Sequence, residues 1–250
     1  MCKTEKWIKL SGVVICEIFT LITIIKLLAG GEPDRIALAV GTLVLVALPM
    51  LIEKLFRCRI SLPVYIFALA YAIGPMLGHC WKLYYTIPVW DKLLHTCGGV
   101  MFAILGAFFF DRLTRNQEAP AAKAIFALCF SMAIAVLWEF CEFGADRFLG
   151  MDMQNDTVIY SLTSYLLGDT LGVTGSISNI QTVMVNGIPL PGYIDIGLID
   201  SMLDMLLETM GAIVTCVLLW LDKGKTTLIR DLRVAAHFDD LGAVGREGTL

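Results

Sequence analysis

The chain has 250 residues, is 57% hydrophobic and 17% charged, and carries a formal net charge of −4. A soluble domain runs nearer 25% charged, so this composition, with a mean hydropathy of +0.75, excludes an ordinary soluble enzyme and describes a polytopic membrane protein. The basic residues are scattered through short loops, which excludes a nucleic-acid surface.

Six apolar runs predict six membrane-spanning helices, over residues 7–29, 36–56, 62–77, 91–110, 121–143 and 201–221. Most have the roughly 20 residues that a bilayer requires at 1.5 Å per residue. The third is short and extends toward Tyr84 if it is to span. Pro120 suits the first turn of the fifth helix. The first run is too long for a signal-peptide core, has no A-x-A-like cleavage site, and reads as a retained helix. The expected fold is all-α: a bundle of six transmembrane helices over 1–233, including a loop at 144–200 that forms a small extracytoplasmic cap. A loose cytoplasmic tail follows at 234–250.

Orientation follows from the basic residues. Fourteen of the 19 Lys and Arg lie at one set of helix ends, among them Lys3, Lys6, Lys9, Lys54, Arg57, Arg59, Arg112 and Lys123. The opposite ends hold Arg35, Lys82, Lys92 and Arg147, and Lys26 lies within the first span. The positive-inside bias then puts both termini in the cytoplasm. Thirteen of the 23 Asp and Glu fall on the outer side.

The loop of about 57 residues between the fifth and sixth helices has structure of its own. Asp156 can cap a short helix whose apolar face is Val158, Ile159, Leu162, Tyr165 and Leu166, too short to span and therefore interfacial. A Gly-rich stretch follows at 168–178. Residues 182–185, Asn186-Gly187 and Ile188 read as a hairpin with a type I′ turn, ended by Pro189 and Pro191.

The outer ends of three helices carry acids at spacings of three and four: Asp91 with His95, then Glu139, Glu142 and Asp146, then Asp200, Asp204 and Glu208. Each set shares one helix face. Glu139 lies about 27 Å along the fifth helix from Ala121, so all three sets reach one membrane level, and His95, Glu142 and Asp204 are expected to line one pocket. So many carboxylates cannot all stay ionised close together without compensation. A divalent metal held by carboxylate oxygens and His95 would supply it. So would shared protons, as in a relay, or plain solvation with Arg147 and Lys92 nearby. Asp91 could orient the His95 ring or bind the same ion. Glu208 is the deepest of the set.

Other residues have plainer readings. Glu17 lies in mid-span of the first helix, where it pairs within the bundle or joins a pathway. Lys26 is expected to snorkel outward. Trp81, Tyr84, Tyr85, Trp90 and Trp138 fit an aromatic belt. Gly98-Gly99 permits close helix packing. His79 and Cys80 fall in an outer loop. The eight cysteines show no CxxC and read as small apolar residues. Asn155-Asp-Thr157 fits the N-glycosylation pattern. HExxH, serine-nucleophile and lipid-phosphatase motifs are absent, so an enzyme would need a carboxylate-rich site.

Three blocks in order, residues 90–99 (WDKLLHTCGG), 137–142 (LWEFCE) and 192–204 (GYIDIGLIDSMLD), resemble the YjdF-like bacterial inner-membrane proteins. The Asp-Lys-x2-His piece is also similar to VanZ-like proteins, although Thr96 stands where those often carry Phe. The resemblance implies a bacterial cytoplasmic-membrane location and brings no reaction with it.

Two functional classes fit these residues. One is a divalent-cation-dependent enzyme on a lipid-linked or envelope substrate, with the metal as Lewis acid and a free Glu as base. The other is a proton- or cation-coupled transporter. A membrane scaffold or assembly factor is the plainest alternative. The partner common to all is the lipid bilayer.

Overall fold

The structure is a computed structural model that describes residues 3–32, 35–114, 119–222 and 228–231. The tail expected at 234–250 lies outside the described residues. Among the described residues six helices are long and apolar enough to cross a membrane: α1 (Lys3–Gly30), α2 (Ile36–Phe56), α3 (Leu62–Cys80), α5 (Trp90–Thr114), α6 (Pro120–Leu149) and α7 (Leu198–Asp222). The protein is an all-α polytopic membrane protein, as its composition predicts. The helix over the third run ends at Cys80 and does not reach Tyr84. The backbone turns at Lys82, which has a left-handed φ of 62°, and a single-turn helix α4 (Leu83–Thr86) follows. Helix α6 begins at Pro120, where the missing amide N–H would have had no helical acceptor.

The chain divides into two compact units, residues 1–132 with 207–250, and residues 133–206. In the first unit one core joins Val13, Val46, Val64, Tyr65, Leu69, Ala72 and Ile104. A second is made almost entirely of small residues, Ala103 and Ala107 of α5, Ala127 of α6, and Ala212 and Cys216 of α7. Small side chains let membrane helices approach until their backbones touch. Buried hydroxyls are satisfied within their own helices: Thr20, Thr23 and Thr42 each donate to the carbonyl four residues earlier, at 2.8, 3.0 and 3.0 Å. That is what a polar group surrounded by hydrocarbon requires.

A two-stranded ribbon also belongs to this unit. Strand β1 (Cys58–Ile60), between α2 and α3, pairs antiparallel with β8 (Ile229–Asp231), which follows α7. Beside it lies Lys9, a residue that the charge pattern assigns to an exposed helix end. It is 5% exposed. Its Nζ donates to Glu53 Oε1 at 2.7 Å and to the Ile60 carbonyl at 2.6 Å, reaches Glu5 Oε1 at 3.3 Å, and stands over the Tyr65 ring at 5.0 Å. Lys26 does not simply snorkel. Its ammonium lies 3.9 Å from the centre of the Trp81 ring, and that indole stacks on Phe19 and donates to Thr23 Oγ1. Trp81 is thus a cation–π partner as well as an aromatic at the helix end.

The second unit contains the end of α6, the start of α7 and the loop between them. The helix expected over 158–166 is absent, and the segment forms strands. Strand β2 (Val158–Ile159) pairs with β7 (Tyr193–Ile194), and β3 (Ser161–Ser164) pairs with β4 (Gly175–Ser178) across a connection, 165–174, that opens with a 3-10 turn at Tyr165–Leu167. The residues responsible include the β-branched and aromatic Val158, Ile159, Tyr160 and Thr163, and from 161 to 164 exposure alternates with period two. The hairpin at Asn186-Gly187 forms as expected, with β5 (Val183–Val185) against β6 (Ile188–Leu190). Asn186 and Gly187 have φ of 49° and 84°, the pair of positive angles that a type I′ turn needs. Pro189 does not end this hairpin. It lies inside β6, paired with Met184. One position beyond a two-residue turn the pair is not hydrogen-bonded, so its missing N–H costs the ladder nothing.

Candidate functional site

In the first unit the site is built on the opening turns of α5. Trp90 fastens that end to α3 by donating from Nε1 to the Gly74 carbonyl at 3.1 Å. One turn on, His95 is buried. Its Nε2 lies 3.7 Å from Asp91 Oδ1, and its Nδ1 lies 3.9 Å from Glu208 Oε2 on α7. The ring therefore stands between two carboxylates, one toward each nitrogen. Both separations exceed hydrogen-bond length and fall in the range of about 3–4 Å that separates two donors on one metal ion. Lys92 Nζ sits 3.1 Å from Asp91 Oδ2.

The two glycines expected to serve packing do different work. A Cβ on Gly99 would fall on the Glu208 carbonyl oxygen and 2.9 Å from the Ala212 amide nitrogen, so Gly99 sets the spacing of α5 and α7. Gly98 faces side chains. A Cβ there would lie 2.8 Å from Tyr71 Oη and 3.6 Å from Glu208 Cδ. Tyr71 of α3 therefore borders the same spot, edge-on to Phe102. Sequence reasoning missed Tyr71. The available signal was a phenol in the middle of an apolar span, where its hydroxyl needs a polar neighbour.

In the second unit the acids take two roles. Asp146 and Asp200 hold the loop: Asp146 accepts the backbone N–H of Met153 at 2.6 Å and of Gln154 at 2.9 Å, and Asp200 accepts Asn155 N at 2.9 Å and Asn155 Nδ2 at 3.2 Å. Asp195, absent from the sequence-derived set, does the same for Thr157, Gly197 and Ile199. Partial burial pushes its carboxyl up, but those backbone donors outweigh burial and leave it below its ordinary value. Asp156 does not cap a helix. Burial first, and then the charges of Asp195 and Asp146, raise it. Asp152 is raised by burial and by Asp156, Asp146 and Asp200.

Glu139 and Glu142 have side-chain partners instead. Glu142 Oε1 accepts Trp138 Nε1 at 2.9 Å, which gives that indole a purpose beyond a belt. Glu139 Oε2 lies 3.4 Å from Gln154 Nε2, whose shorter bond, 2.6 Å, goes to Ser201 Oγ. Both glutamates are buried, and Asp204 is only 1% exposed. Of the eight sequence-derived acids and histidine, Asp91 and Asp146 alone keep moderate exposure. Most of the set is thus buried, while Lys92 offsets the charge of the more exposed Asp91. The described cysteines form no disulfide among themselves, and His79 packs edge-on against Tyr84 at 4.7 Å.

No curated protein and no solved structure matches the chain. A family model does, over residues 12–225, a span that takes in most of α1, the whole of the other five long helices and every residue of both clusters. On that match the chain belongs to the DUF2238 family, described as predicted membrane proteins.

Proposed function

We propose that the chain is a divalent-cation-dependent membrane enzyme acting on a lipid-linked or envelope substrate, at the face where α6 ends and α7 begins. The observation that carries this reading is His95, buried, with Asp91 and Glu208 facing its two nitrogens at 3.7 and 3.9 Å. One carboxylate and one nitrogen can share an ion, while the other carboxylate fixes the tautomer from behind. Glu139, Glu142 and Asp204, assigned to the same depth by the sequence alone, are the proposed source of further oxygens. Asp146 and Asp200 position the loop, since their oxygens already accept backbone N–H groups. The cation would polarise a phosphoryl or carbonyl oxygen, and an unligated glutamate would take a proton from water or a hydroxyl. A transporter would need acids at mid-membrane. Glu17 is the candidate, and it belongs to neither cluster.

The test is metal analysis of the detergent-purified protein, with melting in divalent ion and in chelator. Wild type is expected to carry a stoichiometric cation, one of Zn, Mn, Mg or Ca, and to melt higher with ion. His95→Ala should lose the ion, and Glu208→Gln should lose most of the shift. A metal-free wild type with identical curves in both buffers would return the protein to the scaffold reading.

The proposed face is extracytoplasmic and the membrane is the bacterial cytoplasmic one, supported by the basic asymmetry and by the resemblance to inner-membrane proteins. An impermeant maleimide on intact cells is expected to label Ser176→Cys and to spare Thr114→Cys. The reverse pattern would overturn the orientation.

A further inference from the structure

Between residues 157 and 194 the only charged side chain is Asp169. A water-facing surface of this size carries about a quarter to a third charged residues. The apolar side chains in this stretch are not packed away. Leu166 is 94% exposed, and Tyr165, Leu171, Val185 and Ile188 are exposed with it. They gather at two places, the turn joining β3 to β4 and the flanks of the Asn186-Gly187 turn.

The β3–β4 ribbon is two-faced. Ser161 pairs with Ser178 and Thr163 with Ser176, whereas the alternate pairs are Leu162 with Ile177 and, next to the exposed apolar turn, Ser164 with Gly175. Thr163 Oγ1 and Ser176 Oγ are 2.8 Å apart on the polar side. This is the amphipathic pattern of an element lying along an interface, built as a ribbon instead of a helix.

What covers the apolar tips follows from where the ribbons are rooted. Asp195, three residues before α7, holds the start of β2 through the Thr157 amide at 2.8 Å. The roots are thus fixed at the boundary of a membrane-spanning helix. Each arm is at most four residues long, about 13 Å, which is comparable to a headgroup layer. Exposed Tyr160, Tyr165 and Tyr193 are of the type that settles at that level. The apolar surface also continues into Phe143, Phe148 and Leu149 at the end of α6 and Leu198 and Met202 at the start of α7, all exposed.

We infer that the ribbon tips insert into the headgroup–acyl boundary of the bilayer, so that the cap is a membrane-surface element held by apolar contact. No Lys or Arg lies in the stretch, so anionic lipid contributes nothing to the insertion.

The test uses the full chain in phosphatidylcholine vesicles, with a fluorescent non-canonical amino acid placed singly at Leu166, Leu171, Ile188 or Ser176. The three apolar positions are expected to emit blue-shifted light, to lose emission to acyl-brominated lipid and to resist aqueous iodide. Ser176, on the polar face, should show the opposite. Adding phosphatidylglycerol should change none of these readings. Quenching by iodide at Leu166 and Leu171 would overturn the inference in favour of a water-facing cap. Protection from both quenchers would overturn it in favour of a second copy of the chain. Leu171 and Ile188 keep the test decisive if the Leu166 variant does not fold.

Discussion

Gly99→Val is expected to prevent α5 and α7 from packing. The atoms in the way are backbone: the Glu208 carbonyl and the Ala212 amide nitrogen. No rotamer change removes them, so the helices must separate. The contact is reciprocal, because a Cβ on Gly211 of α7 would fall on the Thr96 carbonyl and 3.4 Å from the Val100 nitrogen of α5. Separation opens the small-residue core of Ala103, Ala107, Ala212 and Cys216, and it draws Glu208 away from His95. Overpacking by one methyl costs about 1–3 kcal/mol, so Gly99→Ala should lower the melting temperature in detergent and the valine variant should fail to fold. Gly41 of α2, with nothing within 4 Å of a Cβ, is the control, and Gly41→Ala should be neutral. Gly99→Ala melting together with wild type would disprove the close contact.

Lys9→Met is the second large effect. Three acceptors surround the ammonium, at 2.6, 2.7 and 3.3 Å, which matches the three protons it can donate. Methionine keeps much of the stem and removes the charge. Glu53 then retains only the Ile60 amide, at 2.8 Å. Removing one member of a buried ion pair costs about 3–5 kcal/mol, because the other is left uncompensated. The partner rescue separates this cause from lost packing. In Lys9→Met/Glu53→Gln only the more exposed Glu5 loses an ion partner, and an amide oxygen can still accept the Ile60 N–H. The double variant should therefore melt above Lys9→Met alone. A single variant within about 0.5 kcal/mol of wild type, the range of an ordinary surface change, would show that the knot contributes little.

The six spans were legible because each is a continuous apolar run of bilayer length, and the Asn186-Gly187 turn because only a few residue types tolerate two positive φ angles. The strands at 158–164 were misread for a specific reason. Leu162 and Leu166 stand four apart, as on a helix, while Val158, Ile159, Tyr160 and Thr163 favour a strand by type, and the pairing of Leu162 with Ile177 decides in favour of the strand. Lys9 could not be read at all. Its acceptors are 44 and 51 residues away, and a lysine at a helix end looks the same whether it meets water or Glu53. In the candidate site, helical spacing alone places Asp91 beside His95. Glu208 and Tyr71 come to it on other helices, through the close approach at Gly99 and the space at Gly98. That Asp146 and Asp200 accept the backbone N–H groups of Met153, Gln154 and Asn155 was not legible, because a sequence does not show where the loop backbone returns.

The pairing of β1 with β8 has a consequence for the order of events at the ribosome. β1 and the residues around Lys9 are synthesised and inserted early, while Leu228, whose carbonyl accepts the Ser61 amide at 2.8 Å, leaves the ribosome more than 160 residues later. Elongation at about 5–20 residues per second makes that interval many seconds. Throughout it the backbone groups of residues 58–60 that β8 pairs in the finished protein have no β8 to meet. This short ribbon can therefore be completed only after the last of the six long helices has been made, which ties the packing around Lys9 to the end of synthesis.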